Sequence, residues 1–261
     1  MKRPLTRKRK TGAERRALEK GGATPRAIRT LAIDVGGTHL KAAVVDETGH
    51  LITAPVRVDT PVGSQPDAIV GTLVRLVGPL GAYDRVSIGF PGVVRAGRIL
   101  TAPNLGNDAW KGFDLVTALT KALGKPVRIA NDADVQGLAV IAGKGLEMII
   151  TLGTGVGTGL YLDGRLAPHL ELAHHPFRKG ETYDEQLGNA TRRRVGNRKW
   201  NKRVRKAIDN VRALTNFDRL YIGGGNTKRL DFEPAPDITL VSNKAGIEGG
   251  AALWKLKEAP R

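Results

Sequence analysis

At 261 residues and 41% hydrophobic content the chain can bury a sizeable core, and its length suits two modest lobes better than one large one. No apolar run approaches the roughly 20 residues needed to span a bilayer and no apolar signal segment opens the chain, so a cytoplasmic protein is expected. The absence of cysteine excludes disulfides and thiolate metal sites and fits a reducing compartment.

The formal net charge of +17 sits in two places. Residues 1–30 carry 11 Lys/Arg against Glu14 and Glu19, and residues 192–206 carry 9 Lys/Arg and no acid, which leaves the remainder close to neutral. A near-neutral body with two basic attachments argues for a polyanion that meets particular surfaces, rather than for general coating of nucleic acid. Residues 1–30 read as a mobile extension with a capping-box motif, Thr11-Gly12-Ala13-Glu14, before a short helix through Lys20. Its readings are capture of a polyanion or acidic partner, or simple solubilisation.

Strands expected at 31–35, 39–46 and 50–58 form a first meander. Between the first two, Asp34-Val35-Gly36-Gly37-Thr38 reads as a tight turn whose glycines adopt conformations closed to other residues and leave room for a polyanion. Backbone N–H groups there can converge on phosphate, Thr38 can add a hydroxyl, and Asp34 can hold Mg²⁺; many such turns only reverse a chain. A helix at 66–78 and a strand at Val86–Phe90 follow, the strand stopped by Pro91-Gly92. A hairpin through Gly97 and a helix at 113–123 closed by Gly124 come next. After the strand Val127–Ala130, Asn131-Asp132-Ala133-Asp134 opens a helix through about Ala142. This places polar side chains at a strand's carboxyl end and a helix N-terminus, where open α/β sheets bind ligands.

The run Ile150-Thr151-Leu152-Gly153-Thr154-Gly155-Val156-Gly157 then repeats strand, glycine turn and strand. Both copies continue alike, through Ala43–Asp46 and Gly49-His50-Leu51 in the first and Leu160–Asp163 and Gly164-Arg165-Leu166 in the second. That is one duplicated β-meander, with two glycine turns able to grip a phosphate chain across a closing cleft. Trp200, Val204, Ile208, Val211 and Leu214 recur at helical spacing, which turns the basic residues of 198–206 outward as a solvated face or a polyanion track. A third glycine cluster, Gly223-Gly224-Gly225, follows a strand at 219–221. The chain closes with a strand at 238–240 and a helix from about Lys244 to Lys257, whose Gly246, Gly249 and Gly250 imply close packing.

Six ordered motifs, Asp34-x-Gly-Gly-Thr38-x-x-Lys41, Gly89-Phe-Pro-Gly92, Ala102-Pro-Asn104-Leu105, Asn131-Asp132-Ala-Asp134, Leu152-Gly-Thr-Gly155 and Ile222-Gly-Gly-Gly225, together resemble the ROK sugar kinases over roughly residues 31–256. The resemblance implies a two-lobed α/β actin-like ATPase (ribonuclease H-like) fold: a basic extension at 1–30, lobes at 31–130 and 131–243, and a C-terminal helix at 244–261 packing back on the first lobe. Within the family, the compact length and lack of cysteine look most like the polyphosphate-dependent glucokinases and glucomannokinases. The implied activity is phosphoryl transfer from inorganic polyphosphate or ATP, with Mg²⁺, to the 6-hydroxyl of glucose or of mannose.

By the same resemblance Asp132 accepts the hydroxyl proton, its alternative being a helix N-cap; Asn104 and Asn131 orient the ring, and Glu171, His174 and Glu185 grip adjacent hydroxyls. Asp184 and Glu181 rival Glu185, and Ala173 stands where the family has Gly. Family zinc sites pair the histidine with three cysteines, so no zinc is expected here. Gly36, Gly37, Thr38, Lys41, Gly153, Thr154 and Gly155 surround donor phosphates, Gly224 and Gly225 lie nearer any adenosine, and Asp34 holds Mg²⁺. Arg198, Lys199, Lys202 and Arg203 form a polyphosphate track. A homodimer is implied, with no membrane partner. The alternatives are an ATP-only kinase for another hexose or an N-acyl amino sugar, and a non-catalytic DNA-binding regulator, for which the 30 mostly polar leading residues supply no winged helix-turn-helix.

Overall fold

Period-two alternation decides which face of each sheet meets which helix. The computed structural model of the chain describes residues 26–61, 63, 65–242 and 245–256; the basic extension through residue 25, including the motif at 11–14, and residues 257–261 of the expected last helix lie outside the described residues. In β1 (Thr30–Val35) and β2 (His39–Val45), Leu31, Ile33, Val35, Leu40, Ala42 and Val44 enter one large core, while Ala32, Ala43 and Val45 face the other way. β3 (Val56–Asp59) pairs antiparallel with β2, and β4 (Arg85–Phe90) lies parallel beside β1. After the small hairpin of β5 (Val94–Arg95) and β6 (Arg98–Ile99), β7 (Val127–Asn131) adds a third parallel strand.

The second sheet repeats this plan. β8 (Leu146–Leu152), β9 (Val156–Leu162) and β10 (Arg165–Leu166) form the antiparallel meander; after a two-stranded hairpin of β11 (Pro176–Arg178) and β12 (Glu181–Thr182), β13 (Arg219–Gly223) and β14 (Ile238–Leu240) run parallel to β8. The orders β3-β2-β1-β4-β7 and β10-β9-β8-β13-β14 match strand for strand. This is the duplicated actin-like architecture.

In the first lobe, helices α1 (Pro66–Val77), α2 (Asn107–Trp110) and α3 (Leu115–Leu123) close the large core through Ile69, Leu73, Trp110, Leu115 and Leu119, all fully buried. Gly124, with φ 62°, caps α3 as expected by donating to the Thr120 carbonyl. In the second lobe, α5 (Tyr183–Leu187), α6 (Asn189–Val195) and α7 (Asn197–Thr215) cover the face of Met148, Ile150 and Leu152. Trp200 is wholly buried there, with its indole N–H on the Leu187 carbonyl at 2.7 Å.

Helices α4 (Asp132–Leu138) and α8 (Ala245–Ala252) lie between the two sheets. Small residues permit this. A Cβ on Gly250 would stand 2.7 Å from the Ala32 Cβ, and one on Gly249 would overlap the Val135 carbonyl oxygen, so α8 crosses α4 at backbone contact. Ser87 Oγ donates to the Gly250 carbonyl and accepts from the Trp254 indole, and Arg85 and Arg128 lie over the Trp254 ring at 5.1 and 4.6 Å.

Three expectations need correction. The strand expected at 50–58 reduces to a single Leu51–Val45 bridge and then β3, because the N–H groups of Ile52 and Thr53 both turn onto the Val44 carbonyl. The helix expected through Ala142 ends at Leu138, because the fully buried Glu147 carboxylate draws the N–H groups of Ala142, Gly143 and Lys144 to itself at 2.7, 2.6 and 3.1 Å. Gly36 and Gly37 do not use the left-handed region. Their missing side chains matter instead for space, since a Cβ on Gly37 would stand 2.9 Å from the Asn104 Cβ; among the glycines of the three turns, Gly224 is the one with positive φ, at 90°.

Gly249→Ala is expected to lower stability by about 1–3 kcal/mol through this overlap. Gly71→Ala in α1, where the added Cβ meets only the Arg75 side chain at 3.6 Å, is expected to raise it by about 0.5–1 kcal/mol. Paired denaturant titrations measure both, and equal effects would contradict the packing account.

Candidate active site

The register brings polar residues to the carboxyl ends of the parallel strands. Asp34 pairs with Gly89, Phe90 pairs with Asn131 at the end of β7, and Gly223 of β13 pairs with Thr151 of β8. These ends face each other across a cleft of about 270 Å³, close to the roughly 300 Å³ lower bound of small-molecule sites.

Asn131, not Asp132, is the N-cap of α4. Its Oδ1 accepts from Ala133 and Asp134 N–H at 2.8 and 3.3 Å, and its amide donates to the Gly92 and Phe90 carbonyls at 3.1 and 3.5 Å. The amide is thus fully occupied in joining β4 to α4. Asp132, relieved of capping, lines the cleft floor with one short bond, from Ala133 N–H at 2.8 Å. Burial, followed by the charge of Asp34, raises its carboxyl from 3.8 to about 7; Asp134 and Glu171 add to the rise and the Ala133 N–H opposes it.

Gly36, Gly37 and Lys41 line one wall, and Lys41 Nζ lies 3.1 Å from Asp34 Oδ2. Thr38 is exposed beside this wall, outside the lining, with its carbonyl accepting Thr60 N–H. Opposite stand Gly153, Thr154 and Gly155, with Gly224 and Gly225. Asn226 Nδ2 and the Asn189 N–H occupy the Gly153 carbonyl, and Asn189 N–H also reaches that of Thr154, which engages oxygens that would repel a phosphate.

A third wall holds Asn104, Glu171, His174 and Asp184. Glu185 is directed elsewhere. Its carboxylate accepts from Thr182 N–H and Oγ1 at 2.8 and 2.9 Å, while Thr182 Oγ1 accepts Glu185 N–H, a capping box that holds the carboxyl below its usual range. Asp184 accepts Val156 N–H at 2.7 Å and occupies the space that a side chain on Gly155 would fill. Glu181 bonds Gln186.

Arg198, Lys199 and Lys202 are exposed on α7, and Arg203 donates to the Gln186 carbonyl; none of the four lines the cleft. The cleft instead adjoins, through Gly153, Thr154 and Gly225, a hollow of about 400 Å³ walled by Arg192, Arg193, Lys228 and Arg229. Among the described residues none of these four cations pairs with an acid. Asn201, wholly buried in α7, fixes this wall by donating to the Arg229 carbonyl and accepting Asp231 N–H. Two of the cations belong to the basic run read from the sequence. Lys228 and Arg229 were not singled out, and no local motif marks them.

His169 was also missed. It stands beside Asp134 and Glu171, and its only sequence signal is a histidine two residues before the Glu171 segment. No cluster of three His, Cys, Asp or Glu side chains able to hold a metal occurs among the described residues. Asp34 offers a hard oxygen ligand beside the first glycine turn, which would suit Mg²⁺ carried in with phosphates and waters. No helix among the described residues is long and apolar enough to cross a membrane.

A model of the ROK family matches residues 30–169. The chain is 31% identical over 236 residues to a polyphosphate glucokinase of Mycobacterium tuberculosis (strain CDC 1551 / Oshkosh), covering 84% of this chain and 88% of that protein. It is 38% identical over 144 residues to an N-acetylmannosamine kinase of Citrobacter koseri, covering 53% and 49%. The crystal structure of an inorganic polyphosphate/ATP-glucomannokinase from Arthrobacter sp. strain KM superposes with a TM-score of 0.80 at 28% identity, covering 88% of this chain and all of that one.

The raised Asp132 carboxyl sets a stability signature. From pH 3.8 to about 7 the folded state keeps a proton that the unfolded state releases, so folding loses stability as pH rises through that window and the loss is complete above it. Asp132→Asn removes this loss. The melting-temperature advantage of the variant is expected to grow through the window and then level; a difference constant with pH would refute the buried-carboxylate account.

Proposed function

The chain belongs to the ROK family and is a sugar kinase; from that premise we propose that it moves a phosphoryl group from inorganic polyphosphate to the 6-hydroxyl of glucose, with mannose as a second acceptor. The observation that carries this reading is Asp132 on the cleft floor, between the wall of Glu171, His174 and Asp184 and the two glycine turns. A carboxyl near 7 is half ionised at neutral pH, where a general base works best.

In the proposed step the sugar oxygen forms its bond to the terminal phosphorus as the bond to the next phosphate oxygen breaks, and Asp132 takes the hydroxyl proton. Lys41 and the N–H groups of the glycine turns receive the charge of the transferring group. Asn104 and the third wall orient the sugar ring, and Asn131 acts from behind by fixing the direction of Asp132. Mg²⁺, held by Asp34, supplies charge neutralisation on the donor phosphates when bound.

Asp184 completes the sugar site in this reading, because the carboxylate of Glu185 is taken by the capping box. Asp184→Asn is expected to raise the glucose KM, whereas Glu185→Ala is expected to lower the melting temperature by removing one half of the capping box and to leave that KM near its wild-type value. Steady-state kinetics with thermal unfolding on both variants decides the assignment, and the opposite pattern would restore Glu185.

Polyphosphate is favoured as donor by the hollow of four cations, none of which pairs with an acid among the described residues. A chain of phosphates leaving the cleft enters this hollow first, and longer chains continue onto Arg198, Lys199, Lys202 and Arg203, since α7 starts two residues after α6 ends. The competing reading, an ATP-dependent kinase for an N-acyl amino sugar, draws on the Citrobacter koseri relative. Formation of glucose 6-phosphate with Mg²⁺ is compared for polyphosphate and ATP at two salt levels. Turnover is expected to favour polyphosphate, with a KM that rises with salt. Replacing Arg192, Arg193, Lys228 and Arg229 by Gln is expected to raise the polyphosphate KM at every chain length, and the same change on α7 only for long chains. ATP turnover without polyphosphate turnover would overturn the donor assignment.

A further inference from the structure

His169 lies outside every motif that marks this family's resemblance, yet it sits between two carboxylates at the edge of the cleft. Its Nδ1 is 3.1 Å from Asp134 Oδ2 and its Nε2 is 3.5 Å from Glu171 Oε2. Burial falls off along this line, from 4% exposure at the Asp134 side chain and 10% at His169 to 30% at Glu171, which opens on the cleft. A Cβ on Gly159 would stand 2.9 Å from Asp134 Oδ1, so a glycine in β9 makes the room in which Asp134 is seated.

We propose that His169 is a positioning residue for the sugar site: anchored by Asp134 at Nδ1, it presents Nε2–H to Glu171 and holds that carboxylate toward the acceptor hydroxyls. The inference rests on the sugar-kinase reading for what Glu171 grips. With both carboxylates ionised, the geometry selects the charged ring. With Nδ1–H given to Asp134, a neutral imidazole would turn a bare Nε2 lone pair on the Glu171 oxygen, acceptor against acceptor. Nε2 and Asp134 Oδ1 are both buried without a hydrogen-bond partner among the described residues, so neither is satisfied elsewhere. Burial alone would lower the His169 pKa, but the hydrogen bonds and charges of Asp134 and Glu171 outweigh it and raise it to about 10.

The surrounding charges give His169 its task. Asp132 and Asp134 on α4, Asp34 on β1 and Glu171 converge on one side of the cleft, and Tyr161 of β9, beside Asp134, is kept protonated by burial and by that neighbour. Against these acids stand Lys41 on Asp34 and His169 on Asp134 and Glu171. Without His169, Glu171 faces Asp132 and Asp134 uncompensated and swings toward solvent, away from a sugar.

The test combines kinetics with NMR of the full-length protein carrying isotope-labelled histidine. His169→Asn keeps a donor for Asp134 but falls short of Glu171; it is expected to raise the glucose KM about tenfold or more, the size of a lost hydrogen bond to a charged group. The kcat and the polyphosphate KM should stay within about twofold, since binding lost equally in the ground and transition states appears in KM alone. His169→Gln, whose longer amide reaches the Nε2 position, should recover part of the affinity. The His169 ring signal, identified by its loss in His169→Gln, should be that of an imidazolium at pH 8, shift when glucose is added, and titrate at lower pH in Glu171→Gln. An unchanged glucose KM in folded His169→Asn, or an equal rise in the donor KM, overturns the proposal. If His169→Asn does not fold, the wild-type spectrum decides, and a His169 signal indifferent to glucose overturns it. A wild-type chain that phosphorylates no hexose removes the functional reading instead, while coupling of His169 to Glu171→Gln still stands or falls on its own.

Discussion

The structure depends on crowding several carboxylates around one cleft. Asp34, Asp132, Asp134 and Glu171 act on one another closely enough that Asp132 is raised to about 7, with burial the leading cause and Asp34 next. Such an arrangement persists only if the remaining acids are compensated. Lys41 compensates Asp34 and His169 compensates Asp134 and Glu171, which leaves Asp132, of these four, without a cation partner among the described residues.

Close backbone approach supplies the crowding. The two sheets are joined by α4 and α8, and these helices meet where Gly249 presses on the Val135 carbonyl and Gly250 on Ala32. A side chain at Gly250 would push α8 off the first sheet, and one at Gly249 would push it off α4. Glycines that at first look like turn residues thus act as spacers: Gly37 admits Asn104, Gly155 admits Asp184, and Gly157 admits Thr151 and Ala133.

Positive charge is arranged by a complementary logic. On α7 the apolar residues turn inward and the cations outward, as an amphipathic helix must. The cations of the hollow that adjoins the cleft come instead from α6 and from the 3₁₀ turn at Thr227–Arg229, a turn that the buried amide of Asn201 ties to α7. The proposed donor path therefore begins beside the glycine turns and reaches the amphipathic helix afterwards.

Local patterns in the chain were enough to reveal the duplicated meander, the glycine turns, the α3 cap at Gly124 and the Asn131-Asp132 junction, because strand alternation, turn chemistry and helix caps are properties of neighbouring residues. Asp34, Lys41, Asn104, Asp132, Glu171 and His174 were legible through motifs, and all of them line the cleft. The choice between Asp184 and Glu185 was not legible. Both lie at the start of α5, and the hydrogen bonds of Thr182 and Val156 direct one carboxylate to the helix cap and the other to the cleft. The end of α4 also escaped, since it is set by Glu147 from the next strand. The sequence by itself determined the architecture and the floor of the cleft. Only the tertiary structure decided which cations line the hollow beside the cleft and that Asp134 reaches His169 and Glu171, because Asp134 and His169, like the two pairs of cations, come from segments 35 or more residues apart, and through-space electrostatics leaves no local signature in the chain.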